Sequence, residues 1–249
     1  MVDALHFPNP PIVEALLDIK VNLAKEVNLE TLASFQDKIK SEFPTRKEKF
    51  SWHFDFKINP HNLPESQQPK GGTIGYLFNS PDGKKIVQAR LDGFTFNKLK
   101  PYTNWESFRN EAKSLWQHYN EIAKPINISR IALRYINRIE IPLPFKDFKE
   151  YILTIPEIGP GIPNTLSEFL MRLVIPNTKI EANAIITETI EKVADTSRFL
   201  PFILDIDVYK AKLFESSSNS IWIEMEDLRI FKNDIFFRSL TEKAQELFK

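Results

Sequence analysis

Cysteine is missing altogether from the 249 residues. Its absence excludes disulfides, thiolate metal sites, iron–sulfur clusters and cysteine nucleophiles. Glycine is nearly as scarce, at seven residues, and its only cluster is GGTIG at 71–75. A phosphate cradle needs a strand, a tight turn and a following helix. No helical pattern follows here, so the cluster reads as a loop feeding a strand. An excess of one charge is also absent, because 33 Lys and Arg balance 33 Asp and Glu. That balance removes the overall field that draws a chain to nucleic acid, although a local basic patch survives such bookkeeping. No run approaches the roughly 20 apolar residues of a membrane span, and the N-terminus lacks the basic-then-apolar order of an export signal. A cytoplasmic protein without membrane contact is the expectation.

Site motifs are thin as well. His6, His53, His61 and His118 are scattered, with no metal-type spacing, and no G-x-S-x-G elbow occurs. Serines 216–218 fall in a loop-like stretch. The reading is therefore no catalytic constellation, no metal and no cofactor.

The chain does carry 20 phenylalanines and a hydrophobic fraction of 42%, enough for a substantial core. IVEALLDIKVN (12–22) alternates apolar and charged residues, the period of a strand. Residues 29–43 place Leu29, Leu32, Phe35, Ile39 and Phe43 at helical spacing before Pro44. FSWHFDFKI (50–58), TIGYLFN (73–79), KIVQARL (85–91) and GFTFNKL (93–99) predict strands. The turn signals SPDGK and DG join the last three as an antiparallel meander. Residues 104–123 predict an amphipathic helix buried through Trp105, Phe108, Ala112, Leu115, Trp116 and Tyr119. RIALRYINRIEIP (130–142) predicts a strand, LPFKDFKEYIL a short helix, and IPEIGPGIPNT a proline-rich crossing. Two strands near 167–192, another at 199–210 and a long helix over 220–248, bent near Asn233, complete the order. The class is α+β: one domain over 1–249, an antiparallel sheet packed against long amphipathic helices. The similar build of PPIVEALLDIKVN and FLPFILDIDVYK suggests two related halves, 1–155 and 156–249.

Arg130, Arg134 and Arg138 recur every fourth residue through an apolar run. On a strand they share one face with Glu140, while Ile131, Leu133, Tyr135, Asn137 and Ile139 share the other. Glu14 and Asp18 share a face of one acidic strand, and Asp205 and Asp207 a face of another. Neighbouring placement would give cross-strand Arg–carboxylate pairs, which neutralise the guanidiniums without a ligand. The functional alternative is a groove in which the arginines bind phosphate, carboxylate or nucleic-acid backbone. The D-x-D pair would hold its carboxylates about 7 Å apart on one face, as metal-dependent phosphotransfer requires, but a salt-bridged sheet face explains it more simply. Trp52, Phe54 and Phe56, with Phe94 and Phe96, would suit base stacking if exposed; core packing under the helices explains them better. FPTRKEKF (43–50) reads as a solvated turn.

Arg130, Leu133, Arg134, Tyr135 and Asn137 match an Arg-x-x-Leu-Arg-Tyr-x-Asn core. Through it, and through PPIVEALLDIKV, YTNWESF and KEYIL, the chain resembles a sporadically distributed prokaryotic family of unknown function. The resemblance covers nearly the whole chain. It implies an accessory role, with a distribution like that of defence-associated genes, and transfers no activity. The expected function is a non-catalytic binding or partner module, with a protein partner or self-association favoured over nucleic acid. Its candidate binding residues are Arg130, Arg134, Arg138, Asn137, Glu14, Asp18, Asp205 and Asp207. The alternative is an enzyme acting on a phosphorylated or nucleic-acid substrate through the Arg/Asp-lined groove.

Overall fold

The computed structural model describes residues 7–53, 56–57, 65–66, 70–162, 166–194, 196–216 and 219–249. The chain runs β1 (Ile12–Asn22), α1 (Leu29–Ala33), α2 (Phe35–Ile39), β2 (Thr45–His53), β3 (Phe56–Lys57), β4 (Glu65–Ser66), β5 (Lys70–Asn79), β6 (Lys85–Arg90) and β7 (Gly93–Leu99). It continues as α3 (Trp105–Ala123), β8 (Asn127–Pro142), β9 (Leu170–Asn177), β10 (Ala182–Ile190), β11 (Phe199–Lys210), α4 (Ser220–Ser239) and α5 (Glu242–Glu246). Nine strands form one antiparallel sheet in the order β2-β5-β6-β7-β1-β8-β11-β10-β9, and β3 pairs with β4.

Period-two alternation fixes which way each strand faces. Leu17 and Ile19 on β1, Phe94 and Phe96 on β7, Leu133 and Tyr135 on β8, and Leu204 and Ile206 on β11 all turn to one buried face. There α3 packs over β7, α4 over β8 and β11, and α1 against β5 and α3. Among the described residues no helix packs on the opposite face. Asn104 caps α3 by accepting the Ser107 N–H at 2.8 Å, and the helix buries the stripe from Trp105 to Tyr119 that its spacing predicts.

The architecture is thus α+β and strand-rich, with helix in the minority, and several local expectations need correcting. The helix expected over 29–43 is two single turns, because Ser34 ends α1 and bonds back to the Thr31 carbonyl at 2.7 Å. FPTRKEKF enters a strand rather than a turn: β2 starts at Thr45, and Arg46 lies over the Tyr76 ring. GGTIG lies inside β5 instead of in a loop. Gly75 is required there, since a Cβ would fall 2.2 Å from the Ala89 carbonyl oxygen of the neighbouring strand. LPFKDFKEYIL makes only a 3-10 turn at Phe148–Glu150.

The last long helix stops at Ser239, not at Phe248, and its break falls at Leu240 rather than near Asn233. Leu240 takes extended backbone and bridges Ile152 before Thr241 caps α5. Nor is α4 amphipathic: Ile221, Met225, Leu228 and Phe236 are buried, but Ile223 and Ile230 are exposed. No described helix is long and apolar enough to cross a membrane. Outward from the central β1–β8 pair, each arm places its last strand beside its first and follows it with a helix. β8 therefore holds in its arm the place that β1 holds in the other, while the proline-rich crossing at 155–165 falls inside the second arm. The side chains of Trp52, His53 and Phe56, together with His6, Phe54, His61, Ser217 and Ser218, lie outside the described residues.

β10 turns Ala184, Ile186, Glu188 and Ile190 inward, and Glu188 is 1% exposed with no hydrogen-bond partner on either oxygen among the described residues. Burial pushes its carboxyl up to about 7. Between the ordinary value of 4.5 and about 7 the folded chain keeps a proton that the unfolded chain has released, so stability falls as pH rises through that window. Glu188→Gln is expected to stabilise the protein at pH 8 by about 2–3 kcal/mol, with the gain vanishing toward pH 4. Urea denaturation at the two pH values checks this, and a pH-independent difference contradicts it.

Candidate functional site

The register of β8 between β1 and β11 brings the predicted acids to the predicted arginines. Asp18 sits opposite Ala132 on β1, and Asp207 opposite Arg134 on β11. Arg130 donates to Asp18 and Asp207, both at 3.2 Å, and its guanidinium lies 4.5 Å over the Tyr209 ring. Arg134 donates through Nε to Asp205 at 2.9 Å. Arg138 meets Glu191 at 3.0 Å and its strand neighbour Glu140. Glu14 pairs with no arginine and accepts instead from Asn97 Nδ2 at 2.7 Å.

One member of this face has no place among the predicted residues. Arg90 on β6 is 7% exposed and donates to Asp18 at 2.9 Å and Asp92 at 2.8 Å, and also to Thr95. Alternation in KIVQARL carried the signal, since Gln88 and Arg90 oppose Val87 and Ala89. The result is a relay Arg90–Asp18–Arg130–Asp207 across five strands, with Thr95 bridging β7 by donating to Asp18 at 2.7 Å. Burial pushes the Asp207 carboxyl up, and Arg130 and Arg134 oppose that shift only in part. The hydrogen bonds that Arg134 donates to Asp205, partly offset by burial, raise the Arg134 pKa. Each of these four arginines is committed to a carboxylate.

Asn137 belongs to the other face, as the alternation requires. It is buried and donates to the Leu204 carbonyl at 3.0 Å, and with Tyr135 it lines a cavity of about 290 Å³ between β8, the start of α3 and α4. Tyr102, Trp105, Phe236 and Phe237 supply apolar wall, and Pro10 to Ile12 close one side. The hydroxyls of Tyr102 and Tyr135 meet at 2.9 Å, and burial pushes Tyr102 up to about 12 and Tyr135 well above its ordinary value. Both phenols are neutral at physiological pH. Glu226 on α4 accepts from Trp105 Nε1 and Arg229 Nε, both at 2.6 Å, so the nearest guanidinium is neutralised.

Lys232 is the exception. It is 8% exposed, lines the same cavity, and has no hydrogen bond or ion pair among the described residues. Its ammonium stands 3.9 Å from the centroid of the Tyr135 ring. Burial, and after it the Arg229 charge, pushes its pKa down to about 7, while the negative face of the tyrosine ring works in the opposite direction. The sequence signal was a cation set in an apolar helical spacing, Ile221, Met225, Leu228, Lys232, Phe236. The lack of a polar opposite face on α4 hid it.

Comparison of the chain with known protein families finds no match, and comparison with curated proteins finds none either.

The paired face predicts a graded mutational response. Asp18→Ala removes one of the two carboxylates held by each of two arginines that are 8% and 21% exposed, leaving them Asp92 and Asp207, and is expected to cost about 2–3 kcal/mol. Arg138→Ala removes a pair exposed on both sides and should cost under about 1 kcal/mol. Chemical denaturation of both variants checks this; equal losses contradict the assignment.

Proposed function

We propose that this protein is a non-catalytic binding module and that its binding site is the Lys232 cavity rather than the arginine face. The observation that carries the reading is an unpaired, buried lysine pointed at a pocket lined by aromatic rings. Concave, mostly apolar pockets with a few convergent polar groups are where small ligands bind. A buried cation without a protein partner is costly, and residues kept at a cost to stability are characteristic of functional sites. Tyr135 and Asn137, two members of the Arg-x-x-Leu-Arg-Tyr-x-Asn core, line this cavity, which supports linking the motif to ligand binding in the family the chain resembles. In that reading the protein is a cytoplasmic accessory factor, as in a defence-associated system, that passes ligand occupancy to a protein partner. An enzyme acting through Asp205, Asp207 and the arginines has less support, because those carboxylates are occupied in ion pairs.

The test separates a functional lysine from a structural one. A pKa lowered from 10.5 to about 7 is equivalent to about 5 kcal/mol against folding, part of which the Tyr135 ring returns. Lys232→Met is therefore expected to raise stability by about 2–4 kcal/mol at pH 6. The gain should shrink toward pH 10, where the unfolded lysine also approaches neutrality. A fall in melting temperature at pH 6 would show that Lys232 holds the fold together and would remove the basis for the site.

A further inference from the structure

Resting on that reading of the cavity, we infer that its ligand is a small organic monoanion, a monocarboxylate on a planar or branched apolar body, whose carboxylate is neutralised by Lys232. The buried charges around the cavity call for one negative charge and no more. From α4 come Lys232 and Arg229, and Arg229 is already matched by Glu226. From α3 comes Glu106, exposed at the rim, and from β8 and the segment before α3 come the two phenols, Tyr135 and Tyr102. Glu106 is solvated at the rim, so of the buried charges around the cavity among the described residues only that of Lys232 lacks a carboxylate. A neutral ligand cannot hold the Lys232 amine in its charged form, and a phosphate dianion would bring a second negative charge into an apolar pocket with no cation to meet it.

Size and shape narrow the class further. About 290 Å³ admits a benzoate- or phenylacetate-sized molecule. Trp105, Phe236 and Phe237 offer ring surfaces for a flat or branched body, and the Tyr102 hydroxyl lies on the same cavity wall. Asn137 spends its amide N–H groups on the Leu204 and Tyr135 carbonyls, and no described residue donates to its Oδ1. A hydroxyl on the ligand would satisfy that oxygen, which favours a hydroxylated acid over its plain parent.

Neutralisation by Lys232 has a thermodynamic signature that packing alone lacks. An amine that is largely uncharged at pH 8 in the empty cavity must take up a proton to meet a carboxylate, so binding and proton uptake are linked. Isothermal titration calorimetry of the full chain at pH 8, in two buffers of different ionisation enthalpy, measures that uptake. The probes are benzoate, 4-hydroxybenzoate and phenylacetate, each beside its carboxamide. The expected result is one-to-one binding of at least one acid with uptake approaching one proton, and binding of its amide at least tenfold weaker. Lys232→Met should lose the preference for the acid, whereas Lys232→Arg should keep the preference and lose the uptake. Amides that bind as tightly as the acids, without proton uptake, overturn the carboxylate inference and leave the cavity as a binding site. Failure of every acid to bind overturns the inference as well, and the stability of Lys232→Met then decides separately whether the cavity is a site at all.

Discussion

The structure depends on the alternation of one central strand. β8 has neighbours on both edges and sixteen residues to place, so its side chains have two destinations and no others. Even-numbered positions from 130 to 140 turn to the face without helices, and odd-numbered positions from 131 to 141 turn under α3 and α4. A shift of one residue would drive three guanidiniums into the core and set Ile131, Leu133 and Tyr135 in water. The acids on β1 and β11 reinforce the register, because Arg130 and Arg134 find their carboxylates only in the pairing observed. The ion pairs thus help to specify the sheet, a role attested for partly buried pairs.

Against that background the two uncompensated charges stand apart. Glu188 and Lys232 both turn inward, and neither has a polar partner among the described residues. They differ in surroundings. Lys232 borders a cavity that a ligand can enter, and the Tyr135 ring steadies its charged form. Glu188 lines none of the cavities described and meets its cost by holding a proton. Burial alone therefore does not mark a functional group; burial beside accessible volume does.

The strands were largely legible from sequence because alternation and turn chemistry are local. β8 and β11 follow their patterns closely, and the meander of β5, β6 and β7 follows from SPDGK and DG. Pairing of Arg130 and Arg134 with Asp18, Asp207 and Asp205 was legible once strand adjacency is granted, but adjacency is a tertiary fact. That is why Arg90, three strands from β8 on the far side of β1 and β7, escaped notice, and why Glu14 found Asn97 instead of an arginine. Helix limits were less legible. Ser34 splits one periodic stretch into two turns, and Leu240 ends α4 by pairing with Ile152, a contact 88 residues distant in sequence. The cavity was not legible, because it forms where α3, α4, β8 and the residues before β1 meet. A single lysine in an apolar spacing looks like a flaw in a helix until the neighbours that leave it unpaired are known.

The central claim is that Lys232 is buried, unpaired and poised to change its charge. Heteronuclear NMR of the lysine side chains, with Lys232 assigned by comparison with the Lys232→Arg variant, follows its titration directly. The account predicts a midpoint near 7 in the ligand-free protein, well separated from the surface lysines at about 10.4. A Lys232 that titrates with the surface group would show that its ammonium is solvated or paired, and would contradict the account.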